Sequence, residues 1–192
     1  MTTGVVDVEE LSTRYGMEVK TEVIDRVAHA SDASHYLYTP KAVIEARSAE
    51  HVAADAAALL DALAARGWSL GTAESLTGGL LAATVVEVPG ASRVFAGSVV
   101  AYDPAVKISL LGVDQSVIER VGTVDEQVAT QMATGACRAL GVDVAVATTG
   151  VAGPGPSEGH PAGTVWLACA WPEGVSTRRL ALTGERSEVR AA

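Results

Sequence analysis

Gly71-Thr72-Ala73-Glu74-Ser75-Leu76-Thr77-Gly78-Gly79-Leu80 is the stretch around which the chain is organised. It follows a short β-like run, Trp68-Ser69-Leu70, and leads into an apolar segment, Leu80 to Val86, that reads as a helix. Two adjacent glycines at a strand-to-helix turn let the backbone come close to a ligand. The new helix N-terminus offers unpaired N–H groups to an anion. One carboxylate, the Ser75 and Thr77 hydroxyls and those amides therefore converge in one place. A Ser/Thr N-cap on a glycine turn is the alternative reading of the same residues.

Working outward, residues 53–67 are alanine-rich, with Leu59, Leu60 and Leu63 at helical spacing and Gly67 as a stop. Downstream of the turn, Pro89-Gly90-Ala91-Ser92 breaks the helix, and Val94 to Tyr102 reads as a buried strand. Asp103-Pro104 caps a short helix carrying Lys107, with proline at its first position. Asp114 to Val121 predicts another short helix. Thr123 with Glu126 three residues later has the pattern of a capping box for a long helix through Leu140. Strands follow at 143–149, 163–171 and 175–183, the last two joined by a hairpin at Pro172-Glu173-Gly174. Alternating strands and helices closed by a hairpin imply an α/β domain of three layers, α/β/α, with a mixed sheet.

With 192 residues, 48% of them hydrophobic and 19% charged, the chain has enough apolar surface for a real core. A formal charge of −9 disfavours binding to nucleic acid or an anionic membrane surface, since phosphate backbones would be repelled. Cys137 and Cys169 stand apart and read as small apolar residues of a reducing compartment. No apolar run has the length of a membrane span, and no secretory leader pattern opens the chain, so a cytoplasmic location is expected. No His, Cys, Asp and Glu cluster has metal-ligand spacing, so neither a metal nor another cofactor is expected.

Residues 1–50 differ from the rest: they hold three of the four tyrosines and two of the three lysines. The run Arg26 to Val43, continuing to Ala49-Glu50-His51-Val52, resembles the opening of FAD-linked lactate or glycolate oxidases. The glycine-rich loop that cradles FAD in those enzymes does not follow, so no flavin is expected. The division is thus an N-terminal extension over 1–50 and a folded domain over 51–192.

That domain resembles the C-terminal domain of CinA, the competence-damage-inducible protein family, also found as a stand-alone nicotinamide-nucleotide amidase of the PncC type. Four blocks carry the likeness in order: Thr72 to Gly79; Val100-Ala101-Tyr102 with Lys107 and Leu111-Gly112-Val113; Thr149-Gly150-Val151-Ala152-Gly153-Pro154; and Pro161 to Trp166, followed by Leu182-Thr183-Gly184-Glu185-Arg186. The resemblance implies hydrolysis of nicotinamide mononucleotide to nicotinic acid mononucleotide and ammonia. Larger CinA proteins carry a pyrophosphatase-type N-terminal domain. Two departures stand out: Leu76 replaces the family's usual Cys, and the family's last helix is expected to be lacking. At ~25 cal/mol per Å² the sheet surface so exposed would amount to several kcal/mol, on the scale of a whole domain's stability. It would also invite self-association into a homo-oligomer.

Amide hydrolysis needs a nucleophile, a proton acceptor and a stabiliser for an oxyanion. Ser75 on its tight turn suits the first. Among the histidines, His29, His35 and His51 fall in or beside the extension, and His160 lies in a polar loop. Lys107 is the better base: beyond residue 50 there are eight arginines and this one lysine. An arginine stays protonated, whereas a desolvated lysine can lose its proton near neutral pH. Tyr102 is placed to relay a proton or hydrogen-bond the substrate. Thr149, Gly150 and Gly153 suit a backbone nest for phosphate or for a ligand ring. Glu74 either orients Lys107 or caps the helix, and with Thr77, Gly78 and Gly79 it is grouped among the substrate-binding residues. The resemblance assigns Arg186 to the mononucleotide phosphate. The competing expectation is a nucleotide-binding protein of the same fold without turnover, and in a third the N-terminal segment covers the sheet in place of the helix.

Overall fold

The computed structural model describes residues 49–192, with side chains described from Val52 onward. The oxidase-like stretch up to His51, the extension over 1–50, His29, His35 and the His51 side chain lie outside the described residues or side chains. In chain order the elements are α1 (Ala49–Arg66), β1 (Leu70–Glu74), α2 (Leu80–Val86), a 3-10 turn (Ala91–Arg93), β2 (Phe95–Val100), α3 (Pro104–Leu111), α4 (Gln115–Val121), α5 (Glu126–Leu140), β3 (Val144–Gly150), β4 (Thr164–Trp171), β5 (Gly174–Ala181) and α6 (Arg186–Ala191). The five strands form one sheet in the order β2-β1-β3-β4-β5. β2, β1 and β3 run parallel, whereas β3–β4 and β4–β5 are antiparallel. The expected mixed sheet in an α/β/α stack is the observed fold.

Side-chain alternation along β1 and β3 sorts two cores. Leu70 and Val144 join Leu60, Leu63, Val85 and Val94 on the face covered by α1 and α2. Ala73, Ala145 and Ala147 face the other way, against Val128, Ala129, Met132, Ala133 and Ala136 of α5. This second face is built almost wholly from small residues, which lets α5 lie close to the sheet. At Gly135 any side chain would meet the carbonyl oxygen of Leu111 at 1.9 Å, so hydrogen is the only substituent that the crossing of α3 and α5 admits.

Helix ends follow local chemistry. Asp103 and Asp114 accept the amides of Ala105 and Ser116, with Pro104 opening α3. For α5 the sequence pointed to Thr123 as cap. The cap is instead Asp125, whose carboxylate accepts the amide of Gln127 at 2.8 Å. Thr123 is engaged elsewhere, with its hydroxyl donated to Glu158. β2 also stops at Val100, short of the expected Tyr102, which is 63% exposed.

The last helix is expected to be lacking, yet a short helix, α6, stands over the six residues Arg186–Ala191. It carries a capping box of Glu185 and Glu188. Its Val189 is buried with Leu76, Ala152, Val165 and Leu180 in a third small cluster at the C-terminal end of the sheet. Among the described residues, no helix is long and apolar enough to cross a membrane.

Candidate active site

β1 delivers Glu74 and Ser75 to the C-terminal edge of the parallel strands, where ligands of open α/β sheets bind. Ser75 N–H donates to Thr148 O at 2.9 Å, which fixes the residue beside β3. The next four residues turn sharply, and Gly79 stands before α2 at φ 98°, a left-handed conformation that favours glycine.

Lys107 reaches this turn from α3. It is 1% exposed. Its Nζ donates to Ser75 Oγ at 3.0 Å, to Ala101 O at 2.7 Å and to Tyr102 O at 3.1 Å. All three acceptors are neutral oxygens. Burial therefore pulls the ammonium down to about 8, against weaker upward pulls from the carboxylates of Glu158 and Asp103. A lysine so placed exchanges its proton near neutrality.

Glu74, one residue before Ser75, does something different. It is 0% exposed, and its carboxylate accepts the amides of Gly79, Leu81 and Ala82 at 2.8, 3.1 and 2.8 Å. Thr77 adds its hydroxyl at 2.7 Å. Of the two expected roles, this is the cap of α2; no hydrogen bond joins it to Lys107 among the described residues. The carboxylate thus spends its oxygens on the start of α2 and on Thr77, inside the fold and off the cavity wall. Thr77 likewise turns inward, to Glu74 and to Thr148 Oγ1 at 2.8 Å. Thr149, 1% exposed, donates its hydroxyl to Thr123 O at 2.7 Å and so ties β3 to the loop before α5.

A cavity of about 410 Å³ opens on the other side of Ser75. Ser75, Tyr102, Gly150, Gly153, Glu158 and Arg186 are among the residues on its wall. Of the expected site residues, then, Ser75, Tyr102, Gly150, Gly153 and Arg186 share the cavity, with Lys107 directly behind the serine. Glu74, Thr77, Gly78, Gly79 and Thr149 are not on the wall. Arg186 at the start of α6 donates to Gly153 O at 2.6 Å and to the Tyr102 hydroxyl at 3.2 Å. Both partners are uncharged. Among the described residues, no three His, Cys, Asp or Glu side chains gather in a way that could hold a metal ion.

The CinA C-terminal domain family matches residues 52–192. The chain belongs to that family. It is 45% identical over 132 residues to a CinA-like protein of Frankia casuarinae, covering 69% of this chain and 30% of that protein. It is also 45% identical over 131 residues to a protein of Enterobacter agglomerans named nicotinamide-nucleotide amidohydrolase PncC, covering 67% of this chain and 80% of the relative. Among solved structures, a CinA superfamily protein from Escherichia coli superposes with a TM-score of 0.72 at 31% identity, over 84% of this chain and 91% of the other. The chain thus spans about 30% of the length of the CinA-like relatives but most of the PncC protein.

Within this CinA-type site, two residues escaped sequence reasoning. Arg190 donates to the carbonyls of Leu76 and Thr77 at 2.9 and 3.0 Å, across more than a hundred residues of chain. Glu158, at φ 50°, holds the Thr123 amide and hydroxyl from the cavity wall. Nothing local marks either one. The only signal was that Arg190 lies four residues after Arg186, on the same helical face.

Proposed function

We propose that this domain is a serine amidohydrolase that converts nicotinamide mononucleotide to nicotinic acid mononucleotide and ammonia. The observation that carries the reading is the buried Lys107 Nζ at 3.0 Å from Ser75 Oγ. Once neutral, Lys107 gives its two N–H groups to the carbonyls of Ala101 and Tyr102 and turns its lone pair to the Ser75 hydroxyl. It accepts the hydroxyl proton as Oγ attacks the carboxamide carbon. The tetrahedral intermediate collapses with cleavage of the C–N bond. Lys107 returns the proton to the departing nitrogen, directly or through the Tyr102 hydroxyl, and ammonia leaves. Water then attacks the Ser75 ester, Lys107 takes its proton, and the acid departs as Ser75 regains its hydrogen.

Binding follows the charges on the wall. Arg186 is held at the wall by Gly153 O and the Tyr102 hydroxyl, where its guanidinium can pair with the mononucleotide phosphate. Gly150 and Gly153 line the cavity with backbone, which is where the ribose and phosphate would pass. The PncC name of the Enterobacter agglomerans relative supports the choice of substrate.

The test is ammonia release from nicotinamide mononucleotide by the purified chain, with Ser75→Ala beside it. We expect turnover in the parent, loss of at least about a thousandfold in the variant, and nucleotide affinity within a few-fold. Saturable nucleotide binding without ammonia, from folded parent protein, would instead make it a nucleotide-binding module.

A further inference from the structure

Ser75, Leu76, Thr77 and Gly78 form a turn closed by Gly78 N–H on Ser75 O at 3.1 Å. Arg190 grips this turn from α6. Its Nε donates to Leu76 O at 2.9 Å and its Nη2 to Thr77 O at 3.0 Å. Gly78 leaves room for the grip, since a side chain there would meet Arg190 Nη2 at 3.3 Å. Val189, buried at 3% exposure, anchors the same helix against Leu76 and its neighbours.

A peptide group is planar, so a carbonyl fixed on one edge fixes the N–H on the other. Thr77 O and Gly78 N–H belong to one such plane. Gly78 N–H holds Ser75 O, and Ser75 O shares the next plane with Leu76 N–H. The guanidinium therefore orients the Leu76 amide through two rigid planes and one hydrogen bond. That amide has no protein acceptor among the described residues, and Leu76 lines the cavity directly after Ser75. The Ser75 amide is already committed to Thr148 O.

We propose that Arg190 is a positioning residue that aims the Leu76 N–H at the oxyanion formed when Ser75 adds to its acyl substrate. The proposal rests on the reading of Ser75 as the nucleophile. A lysine cannot substitute, because one ammonium on a flexible stem does not fork onto two successive carbonyls with fixed geometry. An oxyanion donor acts in the transition state, so its misalignment lowers kcat and leaves KM nearly unchanged.

The experiment compares the parent chain with Arg190→Ala, Arg190→Lys and Ser75→Ala by two readouts. One is kcat and KM for ammonia release from nicotinamide mononucleotide, with and without added guanidinium ion. The other is the rate at which a fluorophosphonate labels the serine, which also builds negative charge on an oxygen next to Oγ. We expect both Arg190 variants to lose about 100-fold in kcat, at the low end of the range for a removed oxyanion donor because the donor is misaligned and not deleted, with KM within about threefold. Labelling should slow in parallel, and guanidinium should restore part of both rates in Arg190→Ala. Arg190→Lys keeps the stem and the charge, so it remains informative if the alanine variant fails to fold. Labelling or turnover at the parental rate in folded Arg190→Lys overturns the proposal, as does a loss carried mainly by KM. A parent that labels in an Arg190-dependent way but releases no ammonia sinks the choice of substrate and leaves the positioning role standing. A parent that does neither overturns both.

Discussion

Glu74 and Lys107 are both buried ionisable side chains beside Ser75, and their surroundings could hardly differ more. Glu74 sits at a helix N-terminus and accepts three backbone amides and a threonine hydroxyl. Each of those neighbours donates a hydrogen bond to the carboxylate, which holds the turn after β1 to the start of α2. Lys107 is surrounded by two carbonyl oxygens and one hydroxyl, and burial draws its proton affinity down to about 8. One environment ties its side chain into the fold and makes it structural. The other leaves the charge negotiable, which is the condition for a base.

The comparison breaks most visibly at the lysine. Lys107→Met should abolish ammonia release, by a factor of about a thousand or more, while the fold persists because the cost of burying an ammonium is also removed. The parent's activity should rise as pH rises through about 8, since the neutral amine is the working form. The same group shapes stability. Its folded proton affinity lies below the unfolded value of 10.5, so the unfolded chain binds more protons between the two, and stability climbs from pH 8 to 10.5. Urea melts across that window should show the climb in the parent and its absence in Lys107→Met.

At the glutamate the expected loss is one of folding. Glu74→Ala strands three helix amides in a buried place, which should cost about 3 kcal/mol, and the melting temperature should drop by roughly 10 °C. A Glu74→Ala protein that melts like the parent would show that water replaces the carboxylate and that the contrast with Lys107 is false.

The smallest effect tests how finely the lysine is tuned. Glu158 is the carboxylate that most opposes the loss of Lys107's proton. Glu158→Gln keeps an acceptor for the Thr123 amide but removes the charge, so the midpoint of the pH–rate profile should move down by a fraction of a unit. An upward movement would contradict the assigned sign.

Much of this was legible in advance because it is local. Alternating strands and helices, the glycines after Glu74, and a single lysine among arginines beyond residue 50 led to the sheet, to Ser75 and to Lys107. Glu74 was harder: a carboxylate next to Ser75 reads equally as a partner of Lys107 and as a cap, and the direction of its side chain shows which groups it meets. Thr123 shows the same limit, since the Thr-to-Glu spacing fits a capping box while Asp125 and Glu158 compete for the groups involved. Arg190 and Glu158 were invisible because their partners lie 113 and 35 residues away, and no spacing rule spans such distances.

The alternation along β1 has a last consequence, for folding fidelity. Ala73 faces the small-residue layer under α5, while Leu70 faces α1 and α2. A slip of one residue in β1 would reverse every side chain, turning Glu74 from the start of α2 towards the apolar layer that holds Ala73. The misregistered sheet would bury an unpaired carboxylate, and Ser75 would point away from Lys107. A slip in β1 is thus penalised in free energy by the same displacement that would part Ser75 from Lys107.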